Sequence, residues 1–146
     1  MNVRRLILAG IAGGVANAIY SMLVCSRLII PFVSQITPEG FWTASSGQHI
    51  ATMVLFGFAV CLLWAFGYAL LYRGIPGRGV NKGLIYGLLL WLLAILPNTA
   101  ALHLHTTIWP EFNWVFIGVN NLLRWLLLGA VFALVYKPAR WYSPDG

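Results

Sequence analysis

The sequence predicts an all-α, polytopic membrane protein with four transmembrane helices and both termini in the cytoplasm. Three observations carry this. Of 146 residues, 60% are hydrophobic and only 8% are charged, against roughly 25% charged in a typical soluble domain. Four apolar runs are each long enough to cross a ~30 Å hydrocarbon core at ~1.5 Å per helical residue. The basic residues gather at one set of run ends: Arg4, Arg5, Arg73, Arg78, Lys82, Lys137 and Arg140 fall on one side, and Arg27 alone in a loop on the other. Lysine and arginine are retained on the cytoplasmic side of such runs. The net charge of +6 is therefore an orientation signal, and no nucleic-acid partner is expected, since no basic stripe stands on a soluble fold.

Residues 1–146 read as a single transmembrane domain. The first helix is expected over about 5–28, stopped by Pro31. Arg4-Arg5 followed by an apolar stretch and Ala16-Asn17-Ala18 imitates a cleaved signal peptide. The apolar run nevertheless continues through Ile30, so an uncleaved helix is expected. An outer loop over 31–45 follows, with Thr37-Pro38-Glu39 as a cap-like start and Phe41-Trp42 suited to the interface. The second helix is expected over 46–73, with Ser45 and Gln48 as a capping box. Residues 74–80 form a tight basic turn. Asn81 is expected to cap a third helix over 81–102, with Pro97 as a kink near its outer end. Pro110-Glu111 opens the fourth, over 111–137, and Pro138 ends it. Tyr72, Tyr136, Trp141 and Tyr142 would form the inner aromatic belt, and Trp42, Trp109 and Trp114 the outer one.

An internal repeat is legible beside this pattern. Gly67–Arg73 matches Val131–Lys137, and a basic residue leads into glycine-bearing apolar sequence at both Arg5 and Lys82. Two αα-hairpins in parallel repeat would give this; so would the shared composition of inner helix ends. Gly10-x-x-x-Gly14 and Gly83-x-x-x-Gly87 offer close helix contacts, within the bundle or between protomers. Cys25 and Cys61 have no metal-binding spacing, and no disulfide between them is expected.

The polar residues of the helices fall in a layer. Asn17 is 12 residues from Arg5, Cys61 is 12 from Arg73, and Arg124 is 13 from Lys137. Each therefore lies roughly 18–20 Å from the inner end. Asn98 and Asn121, 16 residues in, lie roughly 24 Å up. The stripe Gly10, Gly13, Gly14, Asn17, Ser21 would face Arg124 directly, and Asn113, Asn120 and Asn121 share a broad face with it. These amides either hydrogen-bond helices together, at about 0.6–2 kcal/mol each, or line a site. Arg124 is the sharper candidate. A guanidinium cannot shed its proton, and Glu39, Glu111 and Asp145 all lie outside the helix interiors. It is solvated by amides and carbonyls, reached by Glu39, paired with a partner protein, or kept for an anionic or carbonyl-bearing ligand.

His49, His103 and His105 fall on the outer side. His103-x-His105 lacks the accompanying ligands of a zinc or haem motif, so water-satisfied histidines are the expectation and no cofactor is predicted. No nucleophile–base pair, carboxylate pair or phosphate loop is present in the pattern, so an enzyme is not the expectation.

The segments MNVRRLILAGIAGGVAN, KGLIYGLLLWLLAILPN and LLLGAVFALVYKP resemble a widespread group of small, four-helix bacterial inner-membrane proteins of unknown function. The resemblance covers most of the chain outside the first outer loop. It implies a bacterial inner-membrane location and brings no activity, cofactor or site residue. Some relatives carry an acidic residue where this chain has Asn120–Arg124, which separates their chemistry there from this one.

Two functional classes remain, with a third behind them. The first is an accessory or assembly subunit of a larger membrane complex, meeting other subunits through its helix faces. The second is a homo-oligomeric small-molecule binder or transporter, with Arg124, Asn120, Asn121, Asn17 and Asn98 around a polar site. The third is a haem-, metal- or quinone-binding membrane protein. The orientation is directly testable: a reporter active only after export should be silent when fused at Gly77 and active at Thr106. Activity at Gly77 would overturn the helix count or the orientation.

Overall fold

The computed structural model describes residues 2–35, 47–105 and 111–137. All regular structure among them is helical. Four helices are long and apolar enough to cross a membrane: Val3–Ile29, Gly47–Leu71, Gly79–His105 and Trp114–Val135. The expected interfacial residues Phe41, Trp42, Trp109, Trp141 and Tyr142, the cap at Thr37–Glu39, Ser45 and the stop at Pro138 lie outside the described residues.

Helix α1 (Val3–Tyr20) opens under a cap not anticipated from sequence: the Asn2 side chain accepts from the Arg5 backbone N–H at 3.2 Å. This satisfies one of the unpaired donors of a helix start. The chain then passes through a π-helical segment, Ser21–Ile29, into α2 (Ile30–Ser34). Pro31 therefore does not end the helix, contrary to expectation, and the outer loop begins later than residue 31. In a regular α-helix the proline ring collides with the carbonyl four residues back. The wider turn preceding Pro31, in which the Ile30 N–H reaches back to the Cys25 carbonyl, relieves that crowding.

The third span uses the same device. Helix α4 (Gly79–Leu90) runs into a π-helical segment, Trp91–Ile95, where the Leu96 N–H donates to the Trp91 carbonyl. Helix α5 (Leu96–His105) follows, with Pro97 as its second residue. Two boundaries of this span depart from expectation. His103 and His105 lie in the last helical turn rather than beyond it. Asn81 lies inside α4, and the capping position belongs to Arg78, which is extended. Gly77 and Gly79 take φ of 94° and 54°, conformations cheap only for glycine, and the tight turn they permit starts the helix early. Helix α3 (Gly47–Leu71) stops short of residue 73 because the Leu71 carbonyl accepts from the N–H groups of both Gly74 and Ile75. Helix α6 (Glu111–Val135) ends just before Tyr136, whose N–H still bonds the Phe132 carbonyl at 2.8 Å.

Helix α1 packs against both α3 and α6, and α6 packs against α4 and α5. Glycines set the closest approaches. Gly10 and Gly14 lie on Leu62 and Phe58 of α3, and Gly13 on the Phe132 ring of α6. Gly83 and Gly87 lie on the backbone of Gly129 and Trp125 in α6. Both glycine motifs thus act inside the bundle. Gly129, the reciprocal partner of Gly83, was not singled out from sequence because it has no second glycine at helical spacing.

Aromatic packing fills the end of the bundle that carries the basic residues. Tyr68, 1% exposed, sits among Tyr72, Tyr86, Phe132 and Tyr136 at ring separations of 5.1 to 6.4 Å. The Tyr86 hydroxyl donates to the Trp64 carbonyl at 2.8 Å, and the Lys82 ammonium stands 4.1 Å over the Tyr72 ring. Tyr136 and Trp114, 3% and 9% exposed, are therefore core residues and not members of a lipid-facing belt. The opposite end is open. In α3 every residue from 47 to 56 except His49 is exposed, and in α5 only Thr99 is buried.

A methyl group at Gly83 or Gly87 would overlap a backbone carbonyl on α6, whereas one at Gly47 would meet nothing. Gly83→Ala and Gly87→Ala should each destabilise by about 1–3 kcal/mol, measured by unfolding in detergent micelles. Gly47→Ala should stay within about 0.5 kcal/mol of the parent.

Candidate functional site

The polar layer is assembled by the same glycine stripe that packs α1. Gly13 rests on Phe132, and Asn17, one turn further along α1, meets the side chain two turns back along α6. That side chain is Arg124. Its Nε donates to the Asn17 Oδ1 at 2.6 Å. One turn beyond, the Tyr20 hydroxyl reaches Asn120, at 2.7 Å from Oδ1 and 3.2 Å from the backbone carbonyl. Asn120 and Arg124 are four residues apart on one face of α6, as Asn17 and Tyr20 are three apart on α1. Two cross-helix contacts therefore stand one above the other in the α1–α6 seam.

The other sequence-derived candidates are distributed differently. Asn121 is half-buried on α6. Asn98 is exposed on α5, while its neighbour Thr99 is buried and bonds the Ile95 carbonyl at 2.9 Å. Asn98 thus stands on the other side of its helix and does not join the Arg124 layer. Cys61 is buried in the core at 2% exposure, and neither cysteine is in a disulfide. Tyr20 was not identified from sequence, although its place three residues after Asn17 on the glycine-bearing face was the available signal.

The histidines are dispersed. His49 is half-buried near the start of α3, His105 is exposed, and the His103 ring meets Trp114 edge-on at 5.8 Å. Among the described residues there is no group of three or more side chains able to hold a metal ion.

Arg124 gives the seam its chemistry. A guanidinium carries five donor hydrogens in a planar fork. Among the described residues its hydrogen-bond partner is Asn17, which engages Nε and orients the plane while the side chain stays half-exposed. The four spans contain no aspartate or glutamate. Amide dipoles reduce the cost of the charge without neutralising it, and the outer nitrogens of the fork suit a bidentate oxyanion. Alongside, a shallow apolar groove is lined by Ala16, Ile19, Tyr20, Leu23 and Val24 of the first span and by Leu127 of α6.

Asn17→Leu should cost about 1–3 kcal/mol of stability in detergent, because it strands a charged donor. In an Arg124→Leu background the same change should cost little, and the difference measures the coupling of the pair. Additive effects would show that the contact contributes nothing.

Family models, curated proteins and solved structures contain no match to this chain, so the site is read from its own geometry.

Proposed function

We propose that this chain is a small integral subunit of the bacterial inner membrane, with both termini cytoplasmic, which assists or assembles a larger membrane complex by associating through its helix faces. One observation carries the reading. Arg124 is oriented by a single amide in a bundle whose spans contain no carboxylate. A charge at this depth costs about 2.5–3.5 kcal/mol on insertion scales, and compensation from outside the chain offsets it. The far end of the bundle supports the same reading, since among the described residues nothing covers most of the α3 face over residues 47–56 and most of α5. The asymmetry of the basic residues supports the orientation.

The contacts also support a parallel repeat of two hairpins. Aligning Gly67–Arg73 with Val131–Lys137, and Arg5 with Lys82, makes Gly10 correspond to Gly87 and Leu62 to Leu126. Gly10 packs on the Leu62 Cα, and Gly87 on the Leu126 Cα. Tyr68 corresponds to Phe132 and Tyr72 to Tyr136, and each residue packs on its own counterpart, at 6.4 and 5.6 Å.

The apolar groove beside Tyr20 favours a second reading, an oligomeric binder of a small molecule with its polar end at Arg124. Extraction in mild detergent separates the two: larger subunits at fixed stoichiometry support the first, a discrete homo-oligomer with a bound small molecule the second. If Arg124 makes a directed, two-pronged contact, Arg124→Lys should impair association nearly as much as Arg124→Leu, because lysine keeps the charge and loses the planar fork. An Arg124→Leu protein that is about 2–3 kcal/mol more stable and fully associated would remove the functional reading.

A further inference from the structure

We infer that the seam between the first span and α6 receives a transmembrane helix of a different protein, one that carries an aspartate or glutamate near its middle. The inference rests on the subunit reading above and names the chemistry of the partner.

Charge and position narrow what completes Arg124. Asn17 holds the Nε edge of Arg124. Asn120, four residues from Arg124 on α6, uses its Oδ1 and its backbone carbonyl as acceptors for Tyr20. Among the described residues the remaining edge of the guanidinium makes no hydrogen bond, and what complements such an edge is a pair of carboxylate oxygens.

The sequence narrows the source. With no acidic residue in any span, a second copy of this chain brings another Arg124 to a two-fold contact, and like charges repel there. A phospholipid places its phosphate at the membrane surface, whereas Arg124 is 13 residues from Lys137, roughly 20 Å along the helix. A carboxylate borne in the middle of a spanning helix reaches this depth by construction.

The groove gives the partner's body a track. Ala16, Ile19, Leu23 and Val24 continue along the first span from the level of Asn17, and Leu127 stands one turn past Arg124 on α6. A helix laid along them packs apolar side chains over several turns while its acid meets the fork. In a medium where lipid tails solvate apolar faces as well as leucine does, a polar contact of this kind supplies the preference for one partner.

The test uses the full chain, labelled at its C-terminus and reconstituted in phosphatidylcholine vesicles, with energy transfer to synthetic spanning peptides. One peptide is a leucine–alanine helix with a single central glutamate, and its twin has glutamine there. The glutamate peptide should associate about tenfold more tightly than its twin, and this preference should vanish in Arg124→Leu and shrink in Arg124→Lys. Equal association of the two peptides with the parent protein overturns the inference, and that comparison needs no variant to fold. A preference that survives Arg124→Leu also overturns it. So does complete displacement of the glutamate peptide by equimolar oleate, which would assign the fork to a small carboxylate. Native subunits recovered at fixed stoichiometry alongside equal peptide binding would leave the subunit reading standing and remove this inference alone.

Discussion

Close backbone contact at glycine is the constraint on which the rest of this structure depends. Helices surrounded by lipid gain little from covering apolar surface, because the tails are as apolar as the side chains, so they associate where backbones can approach. Gly83, Gly87 and Gly129 bring α4 onto α6, and Gly10 and Gly14 bring α1 onto α3. Gly13 then settles α1 on the Phe132 ring. Only with α1 at that distance does the Asn17 amide reach the Arg124 guanidinium. The polar seam depends on Gly13, which with Asn17 faces α6, whereas Gly10 and Gly14 of the same stripe face α3 and not Arg124.

The sequence carried much of this for identifiable reasons. Four apolar runs, a stripe of glycines ending in Asn17 and a lone arginine in the last run are local signals, and depth counted from the basic ends put Asn17 and Arg124 at one level. What was not legible depends on neighbours. Tyr136 and Trp114 look like interfacial aromatics by position, but Tyr68 and His103 cover them. Asn98 has the right depth and the wrong side of its helix, a distinction of one residue that only Thr99 facing inward reveals. Pro31 reads as a stop and Pro97 as a kink because proline clashes with a regular turn, and the widening of the preceding turn has no simple residue signature.

The two π-helical segments lie beyond the aromatic packing at the basic end: Trp91–Ile95 at the middle of its span and Ser21–Ile29 in the outer part of its own. A π turn sacrifices regular hydrogen-bond geometry, and tertiary contacts in the aromatic half would oppose it. Trp91 illustrates the balance. It opens the second π segment, and its indole N–H donates to the Gly118 carbonyl on α6 at 2.9 Å. The bond ties the widened span to α6 on a different side from the Arg124 seam, so α6 is gripped by α4 and α1 at once.

The proposed repeat of two hairpins sharpens what is special about that arginine. Aligned as above, Arg124 corresponds to Val60, Asn120 to Phe56, Asn17 to Ala94 and Tyr20 to Pro97. The packing glycines Gly10 and Gly87 and the aromatic pairs at the basic end have counterparts in both halves, whereas Asn17 and Tyr20 in the first half and Asn120 and Arg124 in the second have none. Within each hairpin the packing is made by glycine and aromatic side chains, and the polar set lies instead where α1 meets α6. Val60 and Phe56 show that the equivalent positions hold apolar side chains in the same architecture. A charge costing a few kcal/mol at this depth, together with the two amides and the hydroxyl arranged around it, is an addition to the bundle rather than a part of its framework.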